Sequence, residues 1–177
     1  MKKNIHTLLI GTSKTQIGDN YYVKGANITK FWGTLSKINN SFDGSEQTLK
    51  LLENGVLFND VSSAKGGEEK KDKEIKAISV QEGFIKLESI LNNNNLKRIG
   101  FIGKKAAELF FVRFINNIDI KEKDILFNNI FDEYGEQKWS LKINSNDVTC
   151  YVLRNTGRQW KKEPDDWFNF WKETFNK

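Results

Sequence analysis

Arg154, Arg158, Lys161 and Lys162 crowd around Trp160, just past an apolar run that reads as a strand. Four extended cations with an aromatic among them suit a phosphate backbone. Binding of that kind weakens by about 0.9 log units per log unit of salt for each phosphate neutralised. The same residues also fit a basic, solvent-exposed turn. A second stretch, Gly11-Thr12-Ser13-Lys14-Thr15, follows the first apolar run. It matches neither G-x-x-x-x-G-K-[ST] nor G-x-G-x-x-G, so it is not a nucleotide-cradling loop. Ser13 has no basic function at neutral pH without a neighbouring base. The scarce residue types exclude much else. One Cys rules out an intramolecular disulfide, a four-Cys zinc site and a Cys-ligated iron–sulfur cluster. A Ser–His–Asp arrangement would have to pass through the single His, His6, which precedes the first strand and reads as structural. Cys150 alternates inward on a strand and reads as a small core residue. No cofactor and no metal are expected.

The chain of 177 residues is 38% hydrophobic and 29% charged, which fits one globular domain over 1–177. Its net charge of +5 makes a polyanion a reasonable partner. Asn and Lys are abundant throughout, a bias that AT-rich coding alone would produce. No apolar run is long enough to span a membrane. The start, Met1-Lys2-Lys3-Asn4-Ile5-His6, is followed by too short an apolar stretch for a signal peptide, so a cytoplasmic location is expected.

Hydrophobic patterning supplies the elements that must position these residues. Residues 7–10 read as a buried strand, 12–27 as a polar loop containing Gly18 and Gly25, and 28–38 and 46–52 as helices. A second strand is expected over 55–61, then a solvated charged loop over 62–76. Ser79 and Glu82 have the spacing of a capping box before a helix whose Val80, Phe84, Leu87 and Leu91 share a face. Residues 96–103 form the next strand, leading directly into a helix over 104–114. Residues 118–137 show no firm period, and 139–143 fit an extra strand. In the strand over 147–153, Val148, Cys150 and Val152 face one side, and Thr149, Tyr151 and Leu153 the other. Pro164 starts a last helix that presents Trp167, Phe168, Trp171 and Phe175 to a core. This alternation predicts an α/β fold: a three-layer α/β/α sandwich around a mostly parallel four-stranded sheet. Ligands of such sheets sit beyond the carboxyl ends of the strands, which singles out 11–27, Asn59-Asp60 and 154–162.

The first of these segments carries a resemblance. A strand ending in Gly11-Thr12-Ser13, then Tyr21-Tyr22, Asn27 and Phe31-Trp32, resembles the start of the uracil-DNA glycosylase superfamily. The nearest branches are the mismatch-specific uracil/thymine and the hypoxanthine-DNA glycosylases. Residues 99–110 are similar to that family's third strand and following helix, and 152–158 fall where it has a strand and a DNA-entering loop. The resemblance therefore spans most of the chain in order. It implies a monofunctional glycosylase that flips a nucleotide, stacks its base on an aromatic ring and cleaves the C1′–N bond with water. The substrate it implies is a deaminated or modified base in DNA, uracil or hypoxanthine foremost.

Residue by residue, the resemblance assigns Tyr22 to stacking and the Asn27 amide to holding water. Asn27 also fits a helix N-cap. Gly11, Thr12, Ser13 and Thr156 are assigned to base binding. Asn155, with Thr156 and backbone N–H groups, would stabilise the departing base. DNA contacts fall to Lys14, Lys24, Arg154, Gly157, Arg158, Lys161 and Lys162, with DNA as the partner of a monomer. Asp60 is read as structural in preference to touching the base. Several positions depart from the family pattern. Ser13 stands where the family has a water-activating Asp or Asn, Lys14-Thr15 replace a Pro-Gly, and the last loop has no His. The alternative is therefore a catalytically weak or inactive module of this fold that binds DNA or a modified base. A protein that acts on or senses a small nucleotide is a weaker option, because such a ligand does not need four extended cations.

Overall fold

The computed structural model describes residues 4–14, 35, 37–38, 47–65, 73–114, 139–154 and 165–176. In chain order they form β1 (Thr7–Lys14), α1 (Gln47–Glu53), β2 (Val56–Lys65), α2 (Lys73–Asn93) and β3 (Arg98–Ile102). Then come α3 (Lys104–Phe114), β4 (Trp139–Ile143), β5 (Asn146–Leu153) and α4 (Asp165–Thr174). Leu35, Lys37 and Ile38 are helical, inside the helix expected over 28–38.

The strands make one sheet in the order β2-β1-β3-β5-β4. The first four run parallel, and β4 pairs antiparallel with β5. The α/β class is as expected. The sheet has five strands rather than four because 139–143 completes a hairpin with β5. At the turn of that hairpin Asn144 and Ser145 both have positive φ, 49° and 67°, a twist that suits two antiparallel strands. The Asn144 amide donates to the Leu91 carbonyl at 2.9 Å and fastens the turn to the end of α2.

Alternation along β1 sends Leu8 and Ile10 to one face and Leu9 to the other. On the first face Leu8, Ile10, Ile99, Phe101, Cys150 and Val152 pack with Leu87 and Leu91 of α2 and with Ala106, Ala107 and Phe110 of α3. On the second, Leu9, Ile102, Tyr151 and Leu153 pack with Leu35, with Leu51 of α1, and with Trp167, Phe170 and Trp171 of α4. The sheet is thus the middle of three layers. Burying each large apolar side chain contributes about 1.5–3 kcal/mol. Two glycines let the layers close. A Cβ on Gly83 of α2 would meet the Val61 carbonyl oxygen at 1.8 Å. One on Gly100 of β3 would stand 2.9 Å from the Phe170 ring.

Several boundaries differ from the sequence reading. β1 and β2 each continue past their apolar runs, through 11–14 and 62–65, because the two polar extensions pair with each other. α2 begins at Lys73, so Ser79 lies within the helix and not at its cap. On α4 it is Phe170 that is fully buried, whereas Phe168 is half-buried under the Lys37 ammonium, 5.6 Å from the ring centroid. The helical stripe runs through 167, 170, 171 and 174.

Candidate functional site

In a doubly wound sheet the natural crevice lies outside the carboxyl ends of neighbouring strands whose connections leave toward opposite faces. β1 and β3 meet this condition. From β1 the chain goes to the face carrying Leu35 and α1, whereas β3 runs straight into α3 on the other face. The register of β1 with β3 ends at Ile10↔Phe101. With β2 it continues through Gly11↔Asp60 and Ser13↔Ser62 to Lys14↔Lys65, with a bulge between Ser13 and Lys14. The β1–β2 pair therefore projects past the end of β3 as a ledge. On the β3 side stand Gly103, at φ 87°, and Lys104, the first residue of α3. The Gly103 N–H donates to the Leu153 carbonyl at 2.8 Å, which ties this corner to β5.

Along the ledge the apolar face turns polar. Leu9 and Phe58 give way to Gly11 and Asp60, then to Ser62, whose backbone pairs with that of Ser13. The Asp60 carboxylate lies across the register onto β1, where a Cβ on Gly11 would be 2.1 Å from its Oδ1. Gly11 is thus required for the close approach of Asp60, not for a turn. Asn59 and Ser62 are buried, and the Asn59 amide donates to the Asp60 carbonyl at 2.7 Å. Among the described residues no three His, Cys, Asp or Glu come together as a group that could hold a metal ion.

At the far end of the same edge Arg154 leaves β5 and is clamped to α4. Its N–H donates to Asp166 Oδ2 at 2.6 Å, and its carbonyl accepts from Trp167 Nε1 at 3.0 Å. Its Nε lies 3.3 Å from Asp166 Oδ1, within ion-pair range but outside hydrogen-bond geometry. The Asp166 side chain is fully buried, and burial pushes its carboxyl above the usual range, partly offset by the Arg154 N–H and charge. Arg154 therefore has a structural partner beside any phosphate it contacts.

The predicted residues of the first segment, Gly11, Thr12, Ser13 and Lys14, are the last four of β1. The expected loop there is strand. Tyr22, Lys24 and Asn27 lie outside the described residues, as do Asn155, Thr156, Gly157, Arg158, Lys161 and Lys162. Both segments depart from one edge, since Lys14 ends β1 and Arg154 follows β5. Two positions at this edge lie outside the set of residues expected from the sequence. Asp60 was assigned to structure, yet it stands over Gly11, and only strand pairing reveals that neighbourhood. Gly103-Lys104 was passed over, although a strand running into a helix with one intervening residue was a readable sign. His6 and Cys150 fall away from this edge, as expected. Burial is the largest cause holding the His6 imidazole below its usual value, and burial pushes the Cys150 thiol up.

Comparison of the sequence with known protein families returns no matching family model, and comparison with curated proteins returns no match. No helix among the described residues is long and apolar enough to cross a membrane.

Proposed function

We propose that the protein is a DNA glycosylase that hydrolyses the N-glycosidic bond of a flipped, deaminated or modified base, uracil or hypoxanthine foremost. It would act as a cytoplasmic monomer and without a cofactor. One observation carries the reading. The residues that bear the glycosylase resemblance, Gly11 to Ser13, stand beside a carboxylate at the switch-point crevice of a mostly parallel α/β/α sheet. Cleavage of this bond makes the sugar oxocarbenium-like and sends the base out as an anion. It needs a stacking ring, a group that orients water, and donors to the leaving base. In this reading Tyr22 stacks, Asn27 holds water, and Asn155 and Thr156 meet the leaving base. The cations at 158–162, with Lys14 and Lys24, neutralise phosphates.

The test is to incubate the protein with duplex and single-stranded DNA carrying uracil or hypoxanthine and to cleave abasic sites with alkali. Strand scission that Asn27→Ala reduces by at least about 10-fold is expected. No scission on any such substrate refutes the enzyme reading. Salt-sensitive DNA binding without base release would support the binding module instead.

A further inference from the structure

We propose that Asp60 is the carboxylate that orients and deprotonates the attacking water; the assignment rests on the glycosylase reading above. The strands carry two carboxylates, Asp60 and Asp147. Asp147 sits at the amino end of β5, exposed, 3.9 Å from Lys142, so it is remote from the crevice. The buried Asp166 is held in the clamp with Arg154. Asp60 alone of the three combines partial burial with a position on the ledge.

Its geometry is directional. Asp60 belongs to β2, but its Oδ1 stands over the backbone of Gly11, one strand closer to the opening between β1 and β3. Any side chain at position 11 would occupy the carboxylate's place. Ser62 follows Asp60 on the same face, and its backbone pairs with that of Ser13. Ser62 is 2% exposed and Asp60 itself is partly buried, a setting less polar than bulk water in which a carboxylate acts more strongly on a bound water. The residue at the family's water-activating position here is Ser13, which is not basic by itself, and Asp60 supplies the missing base from the neighbouring strand. The step balances. The C1′–N electron pair leaves with the base as the water oxygen bonds to C1′. Asp60 takes one water proton, the other stays as the new C1′ hydroxyl, and the base anion is then protonated from Asp60 or solvent.

The experiment compares wild type, Asp60→Asn and Gly11→Ala in single-turnover base release from uracil- and hypoxanthine-containing DNA, alongside DNA affinity by fluorescence anisotropy. Asp60→Asn is expected to slow release by about 100-fold or more while DNA affinity stays within about threefold. A rate within about twofold of wild type overturns the assignment and leaves the glycosylase reading standing. No release by the wild type overturns both. If Asp60→Asn fails to fold, Gly11→Ala decides, since it asks only the end of the Asp60 side chain to move. A loss of about 10-fold with binding retained supports the assignment, and an unchanged rate overturns it.

Discussion

At the amino end of the sheet the strands are tied together by main chain. The His6 N–H donates to the Gly55 carbonyl, the Lys97 and Arg98 N–H groups to the His6 carbonyl, and the Thr149 N–H to the Lys97 carbonyl. At the carboxyl end the strands stop at different heights, and side chains finish the edge: Asp60 over Gly11, Asp166 against Arg154. Main-chain ties fix geometry whatever the side chains are. The side-chain finish leaves polar groups whose identity matters. If the proposed activity resides at the carboxyl end, substitutions at the two ends of the same strands should separate stability from base release.

After Asp60→Asn, the largest expected effect is at Gly11. Gly11→Ala should lower base release by 10-fold or more. It should cost less than about 1 kcal/mol of stability by urea titration, because only a side-chain terminus must yield. Equal losses of both would erase the contrast between the ends. Next is Arg154→Ala, expected to cost about 2 kcal/mol at neutral pH because it removes the cationic partner of a buried carboxylate. That is below the range for a fully buried pair, since Arg154 is 32% exposed. The sign with pH follows from Asp166, whose carboxyl is held above its usual value in the fold. The folded state then binds the proton more tightly, so the deficit of the variant should shrink as pH falls through that raised value. Melting curves from pH 7 to pH 4 check it.

At the amino end, Gly55→Ala should cost about 1–2 kcal/mol and leave base release per folded molecule unchanged. Gly55 has φ 75°, and a Cβ there would lie 2.8 Å from the Asn4 carbonyl oxygen. The smallest effect belongs to His6, whose imidazole is held below the usual value. The unfolded chain then takes up its proton first as pH falls. Stability should be complete above about pH 6.5 and decline below it, and His6→Gln should flatten that slope in the melting temperature.

Legibility in the sequence followed the range of the information. The β3–α3 unit was readable because an apolar run, a Gly and a helical stripe occur within 96–114. That Cys150 and Tyr151 face opposite sides was readable from simple alternation, and they do fall in different cores. The last residues of β1 and β2 were not, since Thr12 to Lys14 and Ser62 to Lys65 are polar and become strand only by pairing with each other. The approach of Asp60 to Gly11 was not readable, because the two are far apart in sequence and meet only through strand pairing. The capping-box spacing at Ser79 misled because α2 begins upstream of it, where charged residues mimic a loop.

The β4–β5 hairpin differs from every other strand pairing in this sheet in how it can form. Asn144 and Ser145 close it locally, so it can appear on the microsecond scale. The other pairings join Thr7 to Val56, Thr7 to Arg98 and Arg98 to Thr149, each across a long stretch of chain. β1 needs two of these crossovers. β3 needs two as well, so the central strands depend on long-range contacts, and the ledge carrying Gly11 and Asp60 cannot form from local pairing alone.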